Sequence, residues 1–138
     1  MFKKILVGVD GSEDSKGALA KAAELAEKFG SEIIIISVIP REVKLAIIQA
    51  EVLDGSIFAE TEKMVAELAS DLKARGLQAR GITVFGDVAN EILKTCEEEG
   101  CDLIVVGSRG LGKVERFLLG SIASKVIVHA KVPVLVVR

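Results

Sequence analysis

Three apolar runs constrain this chain more than anything else in it: KKILVGV (residues 3 to 9), EIIIISVI (32 to 39) and CDLIVVG (101 to 107). A strand with one wet face alternates apolar and polar residues. Continuous runs of this length, rich in Ile and Val, belong instead to strands covered on both faces, as in a parallel sheet between helices. The longest uncharged apolar run, 33 to 40, is far below the roughly 18 residues of a bilayer span, so no membrane partner is expected.

Helical periodicity fills the intervals. Ala18, Ala22, Leu25, Ala26 and Phe29 share one face of a helix expected to begin near Ser12 and to end at Gly30, which suits a left-handed C-cap. Val65, Leu68, Ala69 and Leu72 make a second stripe, closed by Gly76. The weaker strand LQARGITVF (77 to 85) carries polar residues and a glycine, which suits a sheet edge. Asp87 can cap a third helix facing inward with Val88, Ile92, Leu93 and Cys96, and Ile122, Val126 and Ile127 mark a fourth before the strand VPVLVV (132 to 137).

The alternation β-α-β-α-β-α-β-α-β predicts an α/β fold: a doubly wound, Rossmann-like sheet of five parallel strands in the order 3-2-1-4-5, with helices on both faces. With 138 residues, half of them apolar, residues 1–138 are expected to form one domain. Residues 40 to 60 fit least well. Leu45, Ile48 and Val52 have helical spacing before the turn signal Asp54-Gly55, and a surface connection with a short helix is expected there rather than a lid.

In such a sheet the ligand site lies beyond the carboxyl ends of the strands, where the order reverses between strands 1 and 4. Those ends carry Asp10-Gly11-Ser12 and Gly107-Ser108-Arg109-Gly110. The segment GSRGLGKVERFLLGS (107 to 121) satisfies G-x-x-x-x-G-K through Lys113, but Val114 stands where a P-loop puts a hydroxyl on magnesium. A second spacing fits fully: Gly107, Gly110, Gly120 and Ser121 obey G-x2-G-x9-G-[ST]. The glycines permit close main-chain approach, and Gly120-Ser121 would present amides and a hydroxyl at a helix start, which attracts phosphate. Arg109 and Lys113 favour an anion there, although Lys113 is expected to be a solvated charge. The first helix opens with the acids Glu13 and Asp14, which disfavour one. Asp10, across the reversal, can accept from a ribose or base group or hold Mg2+. Its plainer role is a turn residue, and that of Ser121 an N-cap.

Several functions are excluded. The net charge is -2, aromatics are 4% and no basic stripe exists, so nucleic acid is not an expected partner. Cys96 and Cys101 make no metal-type cluster with the lone His129 and are expected to be buried, reduced thiols. The opening MFKKILVGVDGS has too short an apolar piece for a signal peptide, so a cytoplasmic location is expected. A receiver domain would need a lysine after the last strand, where the sequence has Arg138 alone. No Ser-His-Asp, Cys-His or paired-carboxylate arrangement stands beside the glycine segment. A binding protein rather than an enzyme is expected, with slow hydrolysis at most.

The chain resembles the universal stress protein family over essentially its whole length, in KKILVGVDGSEDS, G-D-V-A-N-E-I (86 to 92), DLIVVGSRG, LLGSIASKVI and a PVLVV ending. Having every fixed position of the spaced-glycine motif, it is similar to the ATP-binding kind. The resemblance implies that Gly8, Val9 and Asp10 line the adenine and ribose region and that Val38 closes on the base. Val106, Gly107, Arg109 and Gly110 would follow the ribose and phosphates, and Gly120, Ser121 and Ile122 would hold the phosphate tail. It implies ATP with Mg2+ as ligand or switch of a stress-response regulator. The alternative is a dimeric scaffold of the same fold whose glycine segment is structural. An apolar last strand at the sheet edge predicts a homodimer through residues 132–137, which the resemblance also implies.

Overall fold

The computed structural model describes residues 1–49, 56–109 and 118–138. In chain order the elements are β1 (Lys4–Gly8), α1 (Glu13–Phe29), β2 (Glu32–Pro40), α2 (Arg41–Gln49), α3 (Ser56–Ala74), β3 (Gln78–Gly86), α4 (Val88–Glu99), β4 (Leu103–Gly107), α5 (Ser121–His129) and β5 (Val134–Val137). The five strands form one sheet in the order β3-β2-β1-β4-β5, and every neighbouring pair is parallel. This is the doubly wound Rossmann-like arrangement expected from the apolar runs.

Strand alternation divides the core into two layers. Ile5, Val7, Ile33, Ile35 and Val105 face one side, where Ala18, Ala22 and Ala26 of α1 and Val65, Ala69 and Leu72 of α3 cover them. Leu6, Ile34, Ile36, Ile104 and Val106 face the other, under Ala89, Ile92 and Cys96 of α4 and Ala123 and Val126 of α5. Ile5, Leu6 and Val7 are all fully buried, which is why their run has no polar member. Three alanines on α1 let that helix lie close to the sheet.

Local signals set the ends of the helices. Ser12 caps α1 by accepting from Ser15 N, Gly30 closes it at φ 68°, and Asp87 caps α4 by accepting from Asn90 N. At the amino end of the sheet, Asp102 accepts from the backbone N–H of Lys3 at 2.9 Å and of Lys4 at 3.0 Å, fastening β1 beside β4.

Some elements differ from the sequence expectation. The last strand is four residues long rather than six, and β3 runs one residue later at each end. In α5 Val126 is buried as expected, but its buried neighbour is Ala123, while Ile122 and Ile127, also expected to face inward, are exposed. A nine-residue helix has two and a half turns, too few for periodicity to define its buried stripe. Residues 41–49 form the expected short helix, with no fully buried residue. Val52, Asp54 and Gly55, together with Gly110, Gly112, Lys113, Val114 and Glu115, lie outside the described residues. Among the described residues no helix is long and apolar enough to cross a membrane.

Candidate functional site

The sheet order reverses between β1 and β4, which pair with each other through Ile5 to Val7 while their connections leave in opposite directions. Helices therefore cannot cover the gap beyond their carboxyl ends. A cleft of about 610 Å³ occupies it, within the range of small-molecule sites. From β1 and its extension it takes Gly8, Val9 and Asp10, and from β2 it takes Val38. From β4 come Val106 and Gly107, from the turn after it Arg109, and from the start of α5 Gly120, Ser121 and Ile122. Ten of the eleven residues named from sequence thus line a single cleft. The eleventh, Gly110, lies outside the described residues.

The β1 side is a locked turn. Asp10 Oδ1 accepts from Ser12 N at 2.9 Å, Ser15 Oγ accepts from Asp10 N at 3.3 Å, and the same hydroxyl donates to Ser12 O at 2.9 Å. Asp10 is a turn residue, then, and its exposed carboxylate also stands at the cleft rim. Among the described residues no group of three or more His, Cys, Asp or Glu side chains converges as a metal site. One rim carboxylate fits Mg2+ that arrives with phosphates, since this ion usually takes one or two carboxylates plus phosphate oxygens and keeps waters. It does not fit a cage for the ion alone.

On the opposite side α5 opens into the cleft. Gly120, not Ser121, is its N-cap, at φ -64° and ψ 156°, and makes no side-chain cap bond. The first bond within the helix runs from Ser124 N to Gly120 O at 3.0 Å. The amides of Ser121, Ile122 and Ala123 precede that bond and point out of the helix start as its orphan donors. No acidic residue occupies this first turn, whereas α1 begins with Glu13 and Asp14. Of the two helix starts near the reversal, α5 offers the uncompensated positive dipole end.

Ser108 holds the two sides together, and sequence reasoning did not single it out. Buried to 5% exposure, it donates its N–H to Val137 O at 2.8 Å and accepts from Gly120 N through its carbonyl. Its hydroxyl donates to Asp14 Oδ2 at 3.0 Å. That same carboxylate oxygen accepts from Arg109 N at 3.2 Å and Arg109 Nε at 3.4 Å. Asp14 therefore does more than complement the dipole of α1: it binds the start of the glycine segment and engages the guanidinium that the sequence suggested was free for phosphate. Gly107 also has a packing reason. A Cβ there would lie 2.8 Å from Asp14 Cβ and 2.9 Å from its carbonyl carbon.

The apolar wall has contributors that the sequence did not indicate: Val43 of α2, Ile57, Thr61 and Met64 of α3, and Ile92 of α4. Within the stretch from 40 to 60, Pro40, Val43 and Ile57 thus line the cleft. Beside the cleft, Asp87 accepts from Asn90 N at 3.0 Å and from Lys125 Nζ at 3.2 Å. The Asn90 amide first, and then the Lys125 ammonium, hold its carboxyl below the ordinary carboxylate range.

Residues 1–138 match the model of the universal stress protein family. The universal stress protein YxiE of Bacillus subtilis is 36% identical, with all of both chains covered. The solved structure of the hypothetical protein MJ0577, from Methanocaldococcus jannaschii, superposes with a TM-score of 0.87 at 33% identity, covering 99% of this chain and 96% of that one. A universal stress protein crystallised in complex with cAMP superposes with a TM-score of 0.75 at 25% identity, covering 99% and 97%.

Proposed function

The chain belongs to the universal stress protein family, and from that premise we propose that its cleft binds ATP with Mg2+ as the ligand or switch of a stress-response regulator. One observation carries this reading: ten residues of the ATP-binding type's pattern, drawn from four strand ends and helix starts, line one cleft of about 610 Å³. Val9 and Val38 offer an apolar bed for the adenine, and Val106 follows the ribose. Gly8 and Asp10 border the ribose, with Asp10 at hand for the magnesium that accompanies the phosphates. Gly120, Ser121 and Ile122 receive the phosphate tail on the amides that begin α5. The relative that binds cAMP supports a nucleotide over other anions.

Arg109 keeps donors beyond the Nε that faces Asp14, so it can serve Asp14 and a phosphate together. Asp10 is the one acidic residue among the described residues lining the cleft, and one of its oxygens already accepts from Ser12. The reading therefore gives ATP a regulatory role with slow turnover at most, in a cytoplasmic protein that dimerises through the β5 edge.

The contacts of Asp14 favour a second reading. They account for Gly107 and engage Arg109 without any ligand, as in a dimeric scaffold that binds no nucleotide. Two measurements separate the readings. Protein purified without added nucleotide and then denatured should release ATP, identified by absorbance and mass spectrometry, and stripped protein should give saturable calorimetric heats with Mg-ATP. Absence of released nucleotide together with no heat at about 1 mM ATP, a binding free energy weaker than about -4 kcal/mol, would leave the scaffold.

A further inference from the structure

Away from the nucleotide cleft, a second cavity of about 290 Å³ lies between the carboxyl end of α4 and the start of the segment leading into β5. Cys96 and Cys101 both line it, together with Gly100, Ile104, His129 and Lys131. They are the two cysteines of the chain; both are free thiols, each about 5% exposed. In a continuing helix, residues five apart fall on different faces. Here the helix stops between them. Gly100 takes φ 69°, its N–H and that of Cys101 turn back onto the carbonyls of Glu97 and Cys96, and the Cys101 N to Cys96 O distance is 3.0 Å. This paired-bond ending brings the side chains at its two ends into contact, a place usually taken by two apolar residues. In this chain both are cysteines. The sulfur of Cys96 lies 3.6 Å from the carbonyl oxygen of Cys101, to which it donates.

We propose that Cys96 and Cys101 form a reversible intrachain disulfide, a redox modification site served by a small peroxide entering through this cavity. The Cys96 thiol gives up its proton and its sulfur attacks one peroxide oxygen; the O–O bond breaks, the sulfur becomes a sulfenic acid, and the other oxygen leaves as water with that proton. The Cys101 sulfur then attacks the oxidised sulfur, the S–O bond breaks, and the hydroxyl departs as water with the Cys101 proton. Two thiols and one hydrogen peroxide give one disulfide and two waters. The order of attack follows from the contacts. The hydrogen bond from Cys101 draws the Cys96 thiol below its ordinary value, against burial and the charges of Glu97 and Asp102. Donation to Cys96, followed by burial, pushes the Cys101 thiol up. The cavity gives a molecule of peroxide size access to sulfurs that bulk alkylating reagents meet poorly, and the chain reversal at Gly100 supplies the proximity that a disulfide needs.

The experiment uses the full chain, reduced, desalted and treated with hydrogen peroxide, then denatured in iodoacetamide for intact mass. Wild type should lose both alkylatable thiols and about 2 Da, remain one chain on a non-reducing gel, and recover both thiols with dithiothreitol. Cys101→Ser should instead gain about 16 Da as a dimedone-reactive sulfenic acid at Cys96. Retention of two alkylatable thiols by wild type, addition of oxygen without bridging, or disulfides only between chains would each overturn the proposal. The wild-type masses decide it even where the variant folds poorly.

Discussion

The substitution Ser121→Asp puts a carboxylate on the first residue of α5, where Gly120 makes no side-chain cap and no acid occupies the first turn. In the protein without nucleotide this addition is favourable, because a negative charge beside the positive end of a helix dipole is worth about 0.3–1 kcal/mol. For a chain of this size that corresponds to a rise in melting temperature of about 1–4 °C. With a nucleotide the sign reverses. If the phosphates sit on the amides of Ser121 and Ile122, the new carboxylate lies within about 4–5 Å of them. Two charges 4 Å apart interact with about 1 kcal/mol in water and about 4 kcal/mol near a protein surface. Ser121 is exposed, so the lower part of that range applies, about 1–2 kcal/mol in all against a phosphate tail whose charge Mg2+ largely offsets, and the dissociation constant for Mg-ATP should rise about 5- to 30-fold. Calorimetry with Mg-ATP measures the second effect and a thermal melt of stripped protein the first. Ser121→Ala, which loses at most one neutral hydrogen bond of about 1 kcal/mol, sets the neutral baseline. A Ser121→Asp protein that is folded, at least as stable as wild type and equally tight for Mg-ATP would refute the placement of phosphates at α5.

Three further outcomes are expected. Gly107→Ala should lose about 1–3 kcal/mol in urea denaturation, because its Cβ would press into the Asp14 backbone at the start of α1; an unchanged midpoint would mean that α1 moves away freely. Asp102 is pushed up by burial, but the Lys3 and Lys4 amides outweigh that and hold its carboxyl below its ordinary value. Its folded value is depressed, so its contribution is complete above the unfolded value near pH 4 and is lost as pH falls through the folded one; the melting temperature of Asp102→Asn should approach that of wild type on acidification, and parallel curves would contradict the assignment. Leu135→Lys, on the edge strand β5 where Leu135 is half-buried, should shift the protein toward monomer or insoluble material in sedimentation velocity, and a wild type already monomeric at micromolar concentration would sink the dimer.

Much of the cleft was legible because its residues sit where local signals end. Gly8 and Gly107 close apolar runs, and Gly120-Ser121 begins a helix, so the topology rule alone directs them to one place. The contacts of Asp14 were not legible in that way. Its position two residues after the cap Ser12 reads as dipole compensation, and nothing local reveals that its carboxylate meets Ser108 and Arg109, 94 and 95 residues further on. Val43, Ile57, Thr61 and Met64 were missed for a related reason: they belong to weakly patterned stretches whose course over the cleft depends on where β2 and α3 come to lie. The cysteine pair was visible as two letters five apart, but its meaning changes with the helix ending at Gly100.

By itself, the sequence determined the parallel sheet, its order, most helix ends and the region of the cleft, since each depends on burial period or on a residue's own backbone preference. Tertiary structure decided which side chains share an oxygen, which face of α5 is buried, how the two cysteines meet at the end of α4 and which helix start remains uncompensated. Those outcomes depend on distances between segments far apart in the chain, which periodicity does not encode and which arise only once the sheet has brought β1, β4 and α5 together.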